Sequence, residues 1–587
     1  YRSSRLKAYL YGRLVRHLSR NIKEYGRKTG KEIHFYVATH SLVNYAQWKI
    51  MSPESRLLDV DEVDGFIAQV WTGTSGTGNV YEGHYKSRTF ETAYLEYGIM
   101  QELVKGTDKE VWFLQDPVED NPEHGWEEYA DKYKKTLTAA LFWPDVDHYE
   151  VCPWPNRVFK GRYPRKVGLA EGMIPTEDME GAKNIPDTYA TFLAGMIQTL
   201  GDMTKEESET EKDAVGVFLA DSCMYQRTYP DQVEHHGQKI NLSGMEDWMN
   251  RLIFQKEEER QLLLSMEKME YAYKECCAFP DWFGLTLPLL KYGLPIQPVY
   301  FDHMVRYEEY LRKYRYLILS YEFMKPESEE FHHKLVEWVK QGGTLFYIGK
   351  DFDPYNYLQE WWQKFSCDTP AQHLFAEFGM DKEPANGCYR IGEGNVLVWN
   401  EVPALLSVNE AIADKYRNWI REGLKMGGYH WNMCNYLSVR RDPYIVIASM
   451  QESDTGSVYT KEGLFVDLYE DKYPVVERVL VEPGQEKLLF DLEKIKEDVR
   501  IIATAARIEN MACENGQLSI EAKAIDHIQV NMRIRLPGKP EDLCAHTESG
   551  KNMELQSVWD EKSRTVLLSY RSNNEKVHIT GKLKYES

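Results

Sequence analysis

The chain has 587 residues and carries 92 acidic against 71 basic side chains, a net charge of −21. That length exceeds what one hydrophobic core supports and implies about three domains. The negative charge opposes a phosphate backbone, so nucleic acid is not an expected partner. No segment approaches the roughly 20 uninterrupted apolar residues of a membrane helix, and no membrane association is expected. Nine cysteines, an odd number without a C-x-x-C pair, suggest neither a disulfide framework nor a thiolate zinc site, and a reducing, cytoplasmic location is the expectation. The first residue is Tyr1, preceded by neither an initiator Met nor an apolar leader, which reads as a processed chain or a fragment.

In chain order, Leu6, Tyr9, Leu10, Leu14, Leu18, Ile22 and Tyr25 recur near the helical period and predict an outer-layer helix. Predicted strands then follow at residues 33–38, 63–71, 111–115 and 149–154, with helices at 89–104, 126–141 and 187–203. Strands alternating with helices predict a parallel sheet with covering helices. The charged run at residues 204–213 predicts a solvated linker. Beyond it, strands at 215–220, 296–300, 316–320 and 344–348 with intervening helices predict a second, smaller α/β unit of flavodoxin-like type. From about Tyr436, short strands punctuated by Gly, Pro and Asn predict a β-sandwich.

In α/β barrels the reactive groups lie where strands end at their carboxyl side, so the strand tips of the first unit hold the candidates. The first tip offers His40 and Asn44, the second Trp71 and Thr72, the third Asp116, Glu119 and Asp120, and the fourth Trp154. Three carboxylates within five positions can push each other's pKa values apart, as acid and base roles require; solvated loop acids are the plainer alternative. Trp71 and Trp154 serve either as core caps or as platforms for the apolar face of a sugar ring. Glu91 and Glu96 are expected on a helix exterior. The smaller α/β unit has no G-x-G-x-x-G after its first strand and no cysteine on a sharp turn. Lys350 and Asp351 stand after the strand ending at Ile348 instead, so neither a dinucleotide nor an amidotransferase reaction is expected there.

This order of parts, with the segments Val111 to Pro117, Pro153 to Pro155 and Leu335 to Phe346, resembles glycoside hydrolase family 42 β-galactosidases and related clan A TIM-barrel glycosidases. The resemblance implies a multidomain α/β protein. Residues 1–210 would form the C-terminal half of a (β/α)8 TIM barrel, 211–435 a non-catalytic amidotransferase-like domain, and 436–587 a β-sandwich. It makes the strand before Asp116 the seventh of the barrel, whose tip in that family carries a glutamate nucleophile. Here Asp116 takes that place, one methylene shorter, with Glu119 as the alternative on the following loop.

The acid/base glutamate of the fourth strand would then precede Tyr1, and the chain alone would hydrolyse no glycoside. His40, Asn44, Trp71, Thr72, Asp120 and Trp154 are the implied substrate contacts. The implied partners are a carbohydrate substrate and further copies of the chain, a trimer being the form that relatives build through the middle domain. No cofactor or metal is implied. The alternative reading is a non-catalytic carbohydrate-binding or scaffold protein derived from such an enzyme.

Overall fold

The computed structural model describes residues 1–48, 50–70, 76, 78–118, 124–152, 154–167, 175–204, 215–226, 232–235, 238–241, 280–351, 353–358 and 360–584. The opening helix Arg2–Thr29 stops at Gly30, whose φ of 67° lets its N–H close back on the Gly26 carbonyl. Four strands follow, Tyr36–Thr39, Gly65–Gln69, Glu110–Gln115 and Tyr149–Val151. They pair in parallel and in sequence order, with helices Thr89–Val104 and Trp126–Leu141 between the later ones. That succession is the β/α alternation expected from the sequence.

Two antiparallel hairpins, Gly78–Tyr81 with His84–Ser87 and Arg162–Val167 with Pro175–Asn184, are inserted after the second and fourth strands. Neither was expected, because their residues mix polar and apolar types without a sustained period of two.

One side of the four-stranded sheet is packed: Phe66, Ala68, Val70 and Phe113 are fully buried in the main core. On the other side Ile67 and Trp112 are only half-buried and Ala38 is exposed, although parallel sheets are ordinarily covered on both faces. The opening helix departs from expectation in a related way. Leu6, Leu10, Leu14, Leu18 and Tyr25 are about half exposed, while its buried residues are Ala8, Gly12, Ser19 and Gly26. Small side chains let the helix axis approach the chain at Pro53 closely: a Cβ on Gly12 would lie 3.5 Å from that of Pro53. The larger apolar residues are left on the outer side.

The middle sheet has the order Ile296–Tyr300, Val215–Leu219, Tyr316–Leu319, Thr344–Ile348, Gly394–Trp399, Gly387–Ile391. All are parallel except the last. Numbered along the chain this is 2-1-3-4-6-5, a doubly wound flavodoxin-like order with an antiparallel edge hairpin. Thr344–Ile348 is buried along its whole length, as a strand covered on both faces must be, and its run of apolar residues made it legible.

The first and middle sheets share one core. Leu95 and Ile99 of helix Thr89–Val104 belong to the same apolar cluster as Ile296 and Val299. Gly98 allows the contact: a Cβ there would meet the Trp143 ring at 2.4 Å and Pro298 at 3.1 Å.

Residues beyond Tyr436 form three antiparallel sheets rather than the two of a single sandwich. The first comprises Tyr436–Arg441, Tyr444–Ser449, Tyr459–Asp467, Val475–Val481 and Glu486–Asp491. Its Val446, Leu488 and Phe490 pack on Tyr133, Leu137, Phe192 and Met196 of helices Trp126–Leu141 and Asp187–Gly201. The other two sheets, of four and five strands between Arg500 and Lys584, enclose Ile520, Met532, Leu568 and Ile579 as a sandwich. Alternating hydrophobicity marks each strand but carries no information about which sheet it joins.

Candidate functional site

The parallel register aligns Thr39, Ala68 and Phe113 across the first three strands, so the residues just beyond the three strand ends, His40, Val70 and Asp116, emerge at one end of the sheet. Neighbouring parallel strands lie about 4.8 Å apart, which separates His40 and Asp116 by roughly 10 Å across the sheet, and Asp116 lies two residues further along than the position level with His40.

His40 is held at three points. Its backbone N–H donates to the Tyr45 hydroxyl at 2.9 Å, its ring packs edge-on against Tyr45, and Nδ1 lies 3.2 Å from the Gln69 carbonyl. A carbonyl can only accept, so Nδ1 carries the proton. Burial pulls the imidazole pKa down to about 4, the Gln69 carbonyl offsetting only part of the shift. His40 is therefore neutral at physiological pH and acts as a hydrogen-bonding group, not as a counter-charge. Asn44 is fully buried; its Oδ1 accepts from Ser41, and its amide lies beside Glu96.

Asp116 follows the third strand and is 1% exposed. Its Oδ1 accepts the Val118 N–H at 3.2 Å, closing an Asx-type turn at Pro117. Tyr189 donates its hydroxyl to the Pro117 carbonyl at 2.9 Å, and Tyr133 donates to the Gln115 side chain at 3.3 Å. Cys152, at the fourth tip, donates its N–H to the Gln115 carbonyl. Burial, and after it the Asp116 charge, pushes the Cys152 thiol up to about 12. Burial raises the phenols of Tyr133 and Tyr189 well above their ordinary value, and the Asp116 charge again adds to the effect. The carboxylate thus sits in a low-dielectric pocket beside the Tyr133 and Tyr189 rings, whose hydroxyls are donated to Gln115 and to the Pro117 carbonyl.

The fourth strand ends at Val151, short of the expected Trp154, because Cys152 turns to a φ of 59°. Trp154 is 57% exposed at the start of the short helix Pro155–Phe159. Trp71, Thr72, Glu119 and Asp120 lie outside the described residues.

Two carboxylates that the sequence placed on a helix exterior are buried instead. Helix Thr89–Val104 runs between the first and middle sheets and has no exterior. Glu91 is 6% exposed and ion-paired with Lys291 at 2.7 Å; Glu96 is fully buried, and burial raises its carboxyl to about 8, the Asn44 amide opposing weakly. A third buried acid was not singled out by sequence: Glu54 accepts from Thr39 and from the Tyr45 hydroxyl, and its pKa is raised by burial. Nothing in its Ser-Pro-Glu-Ser surroundings distinguishes it from a surface turn.

At the carboxyl end of Thr344–Ile348, Asp351 adopts a φ of 52°, and its carboxylate accepts hydroxyls from Tyr347 at 2.7 Å and Thr369 at 2.9 Å. Among the described residues no group of three or more His, Cys, Asp or Glu is arranged to hold a metal ion, and no helix is long and apolar enough to cross a membrane.

No protein-family model matches the chain, and no curated protein matches it. Solved structures resemble it at low identity. A GH42 β-galactosidase from G. stearothermophilus is 10% identical over 78% of this chain and 63% of its own, with a TM-score of 0.39. A β-galactosidase from Bacillus circulans sp. alkalophilus has the same identity and coverage at 0.38. A rhamnosidase from Novosphingobium sp. is 8% identical over 91% of this chain and 50% of its own, at 0.33. The chain spans 63% of the length of the two β-galactosidases.

Proposed function

We propose that the chain carries part of a glycoside hydrolase site, with Asp116 as the carboxylate that faces positive charge developing at the sugar. The observation that supports this reading is a nearly fully buried aspartate directly after a parallel strand, bordered by Tyr133, Tyr189 and Cys152. A carboxylate in such a medium stabilises an oxocarbenium-like transition state more strongly than one in water.

Glu119, three residues further along the sequence, is the alternative nucleophile. His40, as a neutral hydrogen-bonding group, and Asn44, Trp71, Thr72, Asp120 and Trp154 are the proposed sugar contacts. In a two-carboxylate mechanism the partner acid donates a proton to the leaving oxygen while the first carboxylate attacks or stabilises the anomeric carbon. We further propose that the protein self-associates, as a trimer, which sedimentation at micromolar concentration checks; a monomer rejects it.

A protonated iminosugar mimics the charge of the transition state and so tests the carboxylate proposed to face that charge. Titration of 1-deoxygalactonojirimycin into the chain should give saturable binding that Asp116→Asn weakens by roughly tenfold or more. Equal binding to both proteins rejects the assignment of Asp116.

A further inference from the structure

The C-terminal sandwich carries a cleft of about 670 Å³ that none of the preceding argument uses. Its floor is the outer face of the four-stranded sheet. Along strands Gln529–Arg535 and Thr565–Arg571 the side chains alternate: Val530, Met532, Leu568 and Tyr570 point into the core, so Gln529, Asn531, Ser569 and Arg571 face outward. The register sets Asn531, Ser569 and Gln556 in one row across three neighbouring strands, with Gln529 and Arg571 paired in the next row.

This polar face is organised before any ligand arrives. Asn531 is 2% exposed, accepts the Ser569 hydroxyl at 2.7 Å and donates to the Asp471 carbonyl at 2.6 Å. That second bond fixes the loop of the neighbouring sheet as a wall of the cleft. By contrast, the side-chain amides of Gln529, Asn552 and Gln556 make no hydrogen bond to other described residues, and all three line the cleft.

Charge narrows the choice of ligand. Lys472 and Lys551 line the cleft with Asp471 and Glu554, His527 lies beside Asp526, and Arg571 is engaged by Asp187. An anion would meet the two carboxylates and a cation the two lysines. An apolar ligand would strip water from amides without replacing their hydrogen bonds, at a cost per group that its own burial would not offset. A neutral molecule bearing closely spaced hydroxyls can donate to and accept from the amides at once.

We propose that this cleft is a binding site for a neutral oligosaccharide, separate from the strand tips at Asp116 and independent of whether hydrolysis occurs there. The test titrates the full chain calorimetrically with galacto-, manno- and gluco-tetrasaccharides linked β-1,4, and with a trigalacturonate as the acidic control. At least one neutral tetrasaccharide should bind saturably in the millimolar range or tighter. The double variant Gln529→Ala/Gln556→Ala should weaken that binding by roughly tenfold, the effect of two lost hydrogen bonds, with an unchanged circular dichroism spectrum. Binding that Asp116→Asn removes and the double variant keeps belongs to the strand tips and overturns the proposal.

The inference is overturned if no neutral tetrasaccharide binds, if the double variant binds as tightly as the parent, or if the trigalacturonate is preferred. Because the iminosugar titration is read through Asp116→Asn and the cleft titration through Gln529→Ala/Gln556→Ala, failure of the cleft and failure of the glycosidase reading are told apart.

Discussion

Lys291 Nζ lies 2.7 Å from Glu91 Oε1, and both side chains are buried. Glu91 belongs to helix Thr89–Val104 of the first unit, while Lys291 follows helix Pro280–Leu290 of the middle one. The same ammonium is 2.9 Å from Glu452 of the first C-terminal sheet region and donates to the Gln451 carbonyl. One cation therefore joins three parts of the chain. Removing a single partner from a buried pair leaves the other charge uncompensated. Lys291→Met should lower stability by about 3 kcal/mol, and adding Glu91→Gln should recover part of the loss. Urea unfolding of the single and double variants checks this; an unchanged midpoint for Lys291→Met refutes it.

Glu452 gives a second prediction, in acid. Burial disfavours its ionisation, but the hydrogen bond from Arg88 and the charges of Lys291 and Arg88 outweigh burial and hold the carboxyl well below the usual range. A depressed folded-state pKa contributes stability that is present above the ordinary carboxylate pKa and lost as pH falls below it. The stability difference between the wild type and Glu452→Gln should therefore be largest near neutrality and shrink as the pH is lowered from 7 towards 3. A difference that is constant over that range contradicts the ion-pair account.

Glu96 behaves in the opposite sense. Its carboxyl titrates at about 8 in the folded protein against an ordinary value of 4.5. The folded state keeps the proton while the unfolded state releases it, so this group destabilises the fold progressively as pH rises from about 4.5 to 8. The loss over that window is on the order of 4 kcal/mol. Glu96→Gln should flatten the decline in stability between pH 5 and pH 8. A decline as steep as the wild type's would mean that Glu96 is ionised in the fold.

At the strand tips, Asp116→Asn keeps side-chain shape and removes charge. Where an aryl glycoside is turned over, this change should abolish most turnover while Glu119→Gln costs much less. The reverse ranking would assign the chemistry to Glu119.

Much of the layout was legible before any coordinates. Helices Thr89–Val104 and Trp126–Leu141 and strands Ile296–Tyr300 and Thr344–Ile348 fall where the periodicity put them, since a long amphipathic stripe or an unbroken apolar run admits few alternatives. The edge hairpin Gly387–Ile391 with Gly394–Trp399 was missed. Its outer strand is half solvated and lacks an apolar run.

Of the candidate site, the sequence by itself determined that Asp116 ends a strand, because Val111 to Leu114 is apolar and Pro117 cannot continue the ladder. It also determined that the first unit alternates strand and helix, since local pattern suffices for that. Only the tertiary structure decided the electrostatic state of each group. His40 is neutral, Glu91 is paired and Glu96 holds its proton because of what other segments, distant in sequence, place around them. Desolvation and ion pairing depend on the full three-dimensional surroundings of a side chain, and a period of two or of 3.6 residues reports only which side of its own element it occupies.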